Sequence, residues 1–195
     1  MHFSFFRVRR LPFNKALRIL LVTNALILLA EATLGPIYAL FVEKVGGSLL
    51  DASLAGSVFA LSTGTAMLIS GKLSDKIKQR EVVLSLGYIT IGIGFSLYTQ
   101  VNSVLTLLLV QILIGLGTAI YAPSFDAVYS KHVDEHKEAY EWGAWESTYY
   151  FASAFGAFIG GVVVTLFGFN TLFIIMATLA FASAIYIYFL PRKLL

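Results

Sequence analysis

The sequence has no cysteine, and this absence excludes several classes of protein at once. With 0 Cys in 195 residues, the chain cannot form a disulfide framework, a thiolate nucleophile or a metal site built on cysteine. Charged residues are also scarce, at 13%, whereas 58% of the residues are hydrophobic and the mean hydropathy is +0.81. A water-soluble globule of this length needs more polar surface. The composition therefore predicts a protein that resides in a lipid bilayer.

The basic residues do not indicate a nucleic-acid partner. The formal net charge is +3, but the Lys and Arg residues lie at the ends of apolar runs and do not form a basic face. They are better explained as signals of membrane topology. The first apolar run is too long for the apolar region of a signal peptide and lacks a small-residue cleavage site, so we expect no cleavable signal.

Long apolar runs predict membrane-spanning helices. A helix of about 20 residues crosses the hydrocarbon core of a bilayer, which is about 30 Å thick. The sequence contains six such runs, near residues 19–41, 52–70, 82–99, 104–128, 146–167 and 171–190. Residues 1–18 precede them as a basic segment, and residues 191–195 follow. The fold class predicted from this pattern is an all-α membrane protein with a bundle of six transmembrane helices at 19–190.

The distribution of basic residues predicts the orientation. In the six-span arrangement every Lys and Arg except Lys44 falls on one side, which by the positive-inside rule is the cytoplasmic side. Both termini are then cytoplasmic. A weak internal repeat, Ile37-Tyr38-Ala39 against Ile120-Tyr121-Ala122, favours two inverted three-span units, an arrangement found in many transporters.

Polar residues inside the predicted spans are candidate binding residues. Glu31 lies deep in the first span, where an ionisable side chain is costly unless it faces a cavity or a partner. Asn24, Glu31 and Tyr38 are spaced by seven residues and share one helix stripe, and Gln111 and Thr118 form a similar stripe on the fourth span. Glu31 is either a site that binds a cation or a proton, or a structural residue bonded to a neighbouring helix.

The charged turn between the second and third spans is a candidate cytoplasmic gate. It contains Gly71, which would let the backbone turn closely, and Asp75 beside Lys76 and Arg80. Asp126, near the cytoplasmic end of the fourth span, is the acidic residue expected to pair with these basic residues. The alternative interpretation is a solvated basic loop that only obeys the positive-inside rule.

Three segments together resemble the major facilitator superfamily. Gly71, Asp75, Lys76 and Arg80 are similar to its signature loop, although Lys78 stands where the family has a second Gly. Residues 111–117 are similar to the family's R-x-x-x-G-x-G, with Gln111 replacing Arg. Residues 156–161 are similar to its G-P-x-x-G-G, with Ala157 replacing Pro. Glycines at these positions are expected to permit close helix packing, namely Gly115, Gly117, Gly156, Gly160 and Gly161.

This resemblance implies a transporter built from two six-span halves, with substrate held between them and alternating access by rocking. The chain is similar to the N-terminal half, a 3+3 inverted-repeat unit. We therefore expect a proton-coupled, efflux-like transporter of small solutes in a prokaryotic plasma membrane, working as a homodimer or as one half of a split protein. The alternatives are a non-transporting scaffold or receptor derived from the same fold, or a truncated fragment. With Glu31 as its one clear acid and no clear base, the interior favours cationic or neutral amphipathic solutes over anions.

We expect no enzyme activity and no cofactor. One motif could suggest otherwise, because residues 132–136 read His-Val-Asp-Glu-His, the H-x-x-E-H pattern of an inverted zinc protease. A metallopeptidase also needs a third ligand and a soluble catalytic domain, for which this loop has no room. A solvated loop, or at most an adventitious metal site, is the better interpretation.

Overall fold

The computed structural model describes residues 14–77 and 79–189, and every regular element in these residues is a helix. The α-helices are α1 (Lys15–Leu34), α2 (Tyr38–Lys44), α3 (Leu49–Ser74), α4 (Arg80–Leu97), α5 (Val104–His132) and α6 (Glu138–Tyr188). The predicted C-terminal segment, most of the basic N-terminal segment and Lys78 of the charged turn lie outside the described residues.

Within the described residues, five helical segments are long and apolar enough to cross a membrane. They are Lys15–Lys44, Leu49–Ser74, Arg80–Gln100, Val104–His132 and Glu138–Tyr188. The prediction of an all-α membrane protein is therefore confirmed. The predicted fifth and sixth spans lie together in α6, so the number of helices does not confirm a count of six.

The first span begins at a cap and bends near its end. The side chain of Asn14 accepts a hydrogen bond of 3.1 Å from the backbone N–H of Ala16 and so caps α1. A 3₁₀ turn at Gly35–Ile37 then joins α1 to α2. Pro36 lies in this turn, where its missing N–H and fixed φ interrupt regular α-helix. The turn sets the direction of α2 and hence the position of Tyr38.

The helix α6 has one residue that is not helical. Its 51 residues include Gly168, with φ 81° and ψ 172°, a left-handed φ that favours glycine. Both parts of α6 contact α1. Before Gly168, Gly156 lies against Ala32, and after it the hydroxyl of Ser183 donates a hydrogen bond of 3.0 Å to the carbonyl of Thr23.

The core lies between α1, α4, α5 and the second part of α6. Its largest fully buried side chains are mostly aromatic and include Tyr88, Phe95, Phe125, Tyr129 and Phe173. In contrast, the only buried residues of α3 are Ala55 and Ser74. The helix α3 is thus peripheral to the core in the described part of the chain.

Four of the five glycines expected at helix contacts lie at such contacts. A Cβ on Gly160 would overlap the backbone of Thr33, and one on Gly156 would lie 2.6 Å from the Cβ of Ala32. A Cβ on Gly117 would lie 3.0 Å from the backbone N of Ile91, and one on Gly115 would overlap Ser62. The expectation for Gly161 needs correction, because a Cβ there would meet nothing within 4 Å. Gly160 turns toward α1, and its neighbour consequently turns away from that contact.

Candidate functional site

A cavity of about 320 Å³ lies at the bend of the first span and is the candidate functional site. This volume is within the range of pockets that hold small molecules. Residues of the first span, α3, α4 with the turn after it, α5 and α6 line the cavity. They are Glu31, Leu34, Gly35, Tyr38, Gly56, Phe59, Phe95, Tyr98, Gln111, Ile114 and Met176.

Glu31 contributes the carboxylate of this cavity. Its Oε1 atom is buried and has no hydrogen-bond partner among the described residues. Buried polar atoms in proteins are almost always hydrogen-bonded, and a carboxylate at membrane depth without a partner is costly. No hydrogen bond from Oε1 to a neighbouring helix is therefore seen in the part of the chain that the structure describes.

Tyr38 and Gln111 face the same cavity and contact each other. The side-chain amide of Gln111 donates a hydrogen bond of 2.5 Å to the hydroxyl of Tyr38. Gln111 is buried, and the bond joins α2 to α5. The structure thus brings three of the five predicted binding residues, Glu31, Tyr38 and Gln111, to one cavity.

Asn24 and Thr118 do not line this cavity. Asn24 is fully buried two helix turns before Glu31, and its Oδ1 accepts a long hydrogen bond of 3.4 Å from the hydroxyl of Tyr88. Thr118 donates to the carbonyl of Ile114 in its own helix at 3.1 Å. The sequence spacing placed Asn24 on the stripe of Glu31 and Tyr38, and Thr118 on the stripe of Gln111. Each stripe extends beyond the cavity, so Asn24 and Thr118 do not line it.

The aromatic walls of the cavity were not predicted from the sequence. Phe59 comes from α3, Phe95 from α4 and Tyr98 from the 3₁₀ turn Tyr98–Gln100 that follows α4. Tyr98 is buried, and its ring stacks on Phe173 with 5.0 Å between centroids. Apolar spans contain many aromatic residues, so no local pattern distinguishes those that face a cavity.

The charged turn 71–80 contains a weak ion pair. The Arg80 guanidinium lies 4.0 Å from the Asp75 carboxylate, and the Asp75 side chain is 80% exposed. Exposed pairs of this kind contribute about 0–1 kcal/mol. Lys76 is exposed, and its backbone N–H bonds to Leu73. Gly71 requires a correction: it lies inside the last turn of α3 in open space, and the chain leaves the helix only at Asp75.

The pairing expected for Asp126 is a second correction. Asp126 is exposed, and among residues 14–77 and 79–189 no basic side chain of the turn forms an ion pair with it. Hydroxyl groups instead join α3, which precedes the turn, to α5, which contains Asp126. Ser70 donates a hydrogen bond of 2.5 Å to the carbonyl of Ala119, and the hydroxyls of Ser74 and Ser124 bond to each other.

An acidic residue of α6 holds the loop between α5 and α6. Glu141 is buried, and its carboxylate accepts a hydrogen bond of 2.8 Å from the backbone N–H of Asp134. The backbone N–H of His136 and then the Lys137 ammonium lower the pKa of Asp134.

Among the described residues no group of three or more His, Cys, Asp or Glu could hold a metal ion. His132 instead uses its Nδ1 in a hydrogen bond of 2.8 Å with the carbonyl of Val128.

The chain is similar to known membrane transporters over most of its length. The model of a family described as the Major Facilitator Superfamily matches residues 20–194. An uncharacterized MFS-type transporter of Methanocaldococcus jannaschii is 25% identical over 175 residues, which cover 90% of this chain and 45% of that protein. The multi-drug resistance efflux pump PmrA of Streptococcus pneumoniae is 29% identical, covering 77% of this chain and 38% of the pump.

A third relative is the proton-coupled antiporter flippase LtaA of Staphylococcus saprophyticus, which is 27% identical, with 66% of this chain and 32% of the flippase covered. In each comparison the match spans less than half of the relative.

Proposed function

Because the chain belongs to the Major Facilitator Superfamily, a family of transporters and not of enzymes, we propose that it forms part of a secondary active transporter that moves small solutes by alternating access. The observation that carries this proposal is the cavity at the bend of the first span. The buried carboxylate oxygen has no hydrogen-bond partner within residues 14–77 and 79–189, and residues from five helical segments line the cavity around it. Such a site is suited to a ligand or a proton that enters and leaves.

We further propose that transport is coupled to protons and directed outward. Glu31 is the acidic residue of the cavity, and a carboxyl group at membrane depth is a typical proton carrier. The names of two relatives, a proton-coupled antiporter and an efflux pump, support the same coupling and direction.

Six spans with both termini in the cytoplasm are part of this proposal. A continuous helix of 51 residues would be about 76 Å long, more than twice the hydrocarbon thickness of about 30 Å. A reversal at Gly168 divides α6 into two spans of ordinary length. Hydrogen bonds at the two ends of α6 support this reversal. Near the start of α6, the Glu141 carbonyl accepts from the hydroxyl of Tyr129, close to the end of α5. Near the end of α6, the Ala184 carbonyl accepts from the hydroxyl of Ser85, close to the start of α4, and in the six-span arrangement these two positions lie on the same side of the membrane. The 3+3 inverted repeat and the prokaryotic plasma membrane belong to the same proposal.

A second six-span unit completes the transporter in our proposal, either another copy of this chain or a separate half. The chain matches less than half of each of the relatives described above. Large apolar side chains are exposed on α3 and on the first part of α6, where they support contact with a second bundle or with lipid. They include Leu61, Leu68, Ile69, Phe151, Phe155 and Phe158. In a homodimer, Asp75 of one subunit would approach the start of α6 of the other and act as a cytoplasmic gate.

Reconstitution tests the proposal. The chain is placed in proteoliposomes with a pH gradient, and a panel of labelled cationic, neutral and anionic drugs is screened for movement that a protonophore abolishes. We expect such movement for at least one compound. The absence of gradient-dependent movement, both for the chain alone and for the chain with a co-expressed second half, would contradict the proposal. Crosslinking in the bilayer shows whether the active form is a dimer.

A further inference from the structure

We propose that the end of the bundle that contains Lys44 binds one anionic phospholipid. The phosphate lies beside Lys44, and an acyl chain lies in a groove between α4 and the part of α6 that follows Gly168. This site is separate from the cavity beside Glu31, and it goes beyond the proposed transport function.

A polar cavity of about 370 Å³ lies between the end of α2, the turn after α4 and the start of the second part of α6. Its polar side chains are Lys44, Thr99, Asn102 and Asn170. The Lys44 ammonium lies 5.4 Å from the centre of the Phe169 ring, which lines the same cavity. Attraction between the cation and the face of this ring stabilises the ammonium in that position.

The charge of the polar cavity suits an anion. No Asp or Glu is among the described residues that line it, and the neighbouring Glu43 is exposed and does not line it. Lys44 forms no ion pair with the described acidic residues. The side-chain amides of Asn102 and Asn170 add hydrogen-bond donors that carry no charge. One ammonium and two amides match a phosphodiester group, which has one negative charge and several acceptor oxygens.

A second cavity, of about 400 Å³, continues from the first, since Thr99 and Asn170 line both. This acyl groove is lined further by residues of α4 and of the second part of α6, namely Ser96, Ile174, Ala177, Thr178 and Phe181. Ile174 and Thr178 are exposed, so the groove opens on the outside of the bundle. This surface differs from the exposed apolar face of α3 and the first part of α6, where a second bundle is proposed to bind.

The acyl groove is suited to hydrocarbon. The hydroxyls of Ser96 and Thr178 donate to carbonyls of their own helices at 2.9 and 2.7 Å, so both donors are satisfied without water. At the far end of the groove the Phe181 ring lies against α4, where a Cβ on Gly92 would lie 2.8 Å from it. The groove is therefore polar at the end near Lys44 and closed by an aromatic ring at the other.

The length of the acyl groove matches one leaflet of a bilayer. Asn170 and Phe181 are separated by about three turns of helix, or about 16 Å along its axis. Half of a hydrocarbon core of about 30 Å is about 15 Å. An acyl chain that begins at the polar cavity would thus end near Phe181, at the middle of the membrane.

The two cavities together favour a phospholipid with net negative charge over other ligands. Free phosphate would leave the acyl groove unused, and a fatty acid would fill the groove but little of the polar cavity. A zwitterionic lipid such as phosphatidylcholine would place a second positive charge near Lys44. Phosphatidylglycerol, with one negative charge and a small polar headgroup, is therefore a suitable probe.

Native mass spectrometry of the purified full chain in detergent tests the inference. Phosphatidylglycerol and phosphatidylcholine with identical acyl chains are compared, and inorganic phosphate is added as a competitor. We expect one phosphatidylglycerol to bind about tenfold more tightly than phosphatidylcholine, because of its net charge, and phosphate not to displace it. Equal affinity for the two lipids would overturn the inference. Displacement by phosphate would also overturn it, since it would indicate a site for a soluble anion.

Two variants assign the charge preference to the polar cavity. Lys44→Gln removes the positive charge, and Asn170→Asp adds a negative charge to the same cavity. We expect each to bring the affinities for the two lipids close together. Lys131→Gln is the matched control and should keep the preference, since Lys131 is also exposed but lines neither cavity. An unchanged preference in folded Lys44→Gln or Asn170→Asp would overturn the inference.

A further pair of variants tests the acyl groove. Thr178→Trp places a large side chain in the groove, and Ile185→Trp places one at an exposed position that does not line it. We expect only Thr178→Trp to weaken binding of phosphatidylglycerol, by about tenfold or more. Equal binding by the two variants would overturn the placement of the acyl chain.

Circular dichroism and elution volume show whether each variant is folded, and only folded variants are compared. If Lys44→Gln fails to fold, Asn170→Asp still tests the charge. These measurements use binding alone. A chain that binds phosphatidylglycerol at Lys44 but transports nothing would refute the proposed function and not this inference, whereas transport without such binding would refute only this inference.

Discussion

The side-chain amide of Gln111 donates a hydrogen bond of 2.5 Å to the hydroxyl of Tyr38, and this bond links α5 to the short helix that follows the bend of the first span. Both residues line the cavity that contains Glu31. The bond therefore connects the shape of the cavity to the angle between α1 and α2. A change in that angle would move Tyr38 relative to Glu31.

Removal of this bond tests the connection. Tyr38→Phe and Gln111→Leu should each lower the free energy of unfolding by about 1 kcal/mol, the usual net contribution of one hydrogen bond. The double variant should cost less than the sum of the two single changes, since the partners act as a pair. Thermal unfolding in detergent measures all three variants. Strict additivity would show that the two side chains do not interact.

Two adjacent glycines provide a matched test of helix packing. Gly160→Ala should destabilise the protein by about 1–3 kcal/mol, because the new methyl group overlaps the backbone of Thr33 in α1. Gly161→Ala should be close to neutral, since nothing lies within 4 Å of that position. Yield and melting temperature of the two variants can be compared directly. Equal effects would contradict the described contact between α6 and α1.

The absence of native cysteine makes the topology accessible to labelling. Single cysteines at Lys76, Asn102, Glu135 and Asn170 can be treated in intact cells with a maleimide that does not cross the membrane. With six spans and cytoplasmic termini, Asn102→Cys and Asn170→Cys should be labelled from outside, and Lys76→Cys and Glu135→Cys only after lysis. Protection of Asn170→Cys would refute the reversal at Gly168.

The charged turn should affect transport more than stability. Asp75 is 80% exposed and lies 4.0 Å from Arg80, so Asp75→Asn should change the free energy of unfolding by less than about 1 kcal/mol. If the turn acts as a gate against a second bundle, the same variant should slow transport. Glu135→Gln, an exposed acid in the loop after α5, is the control. Transport at the normal rate in Asp75→Asn would remove this residue from the gate.

Composition and hydropathy were sufficient to predict the class of fold. Long apolar runs leave few alternatives to membrane helices, because backbone groups in hydrocarbon must bond within their own segment. The same pattern could not define the span count, since α6 continues through the position where the predicted fifth and sixth spans separate. Only the backbone angles of Gly168 mark that position.

The candidate site was predicted only in part, because helix periodicity gives direction but not neighbours. An ionisable residue deep in a span identified Glu31, and its spacing identified Tyr38. The aromatic walls depend on how α3, α4 and the first span pack, which no local pattern determines. For Asp126, charge alone predicted a pairing with the basic turn. Among the described residues, hydroxyl groups of Ser70 and Ser74 join α3 to α5 instead.

The central claim is that Glu31 couples solute movement to protons. Proteoliposomes that contain the chain and a luminal pH-sensitive dye report proton movement when a transported solute is added outside. Wild-type protein and Glu43→Gln should give a solute-dependent change in luminal pH, and folded Glu31→Gln should give none. A solute-dependent pH change of the same size in Glu31→Gln would contradict the claim.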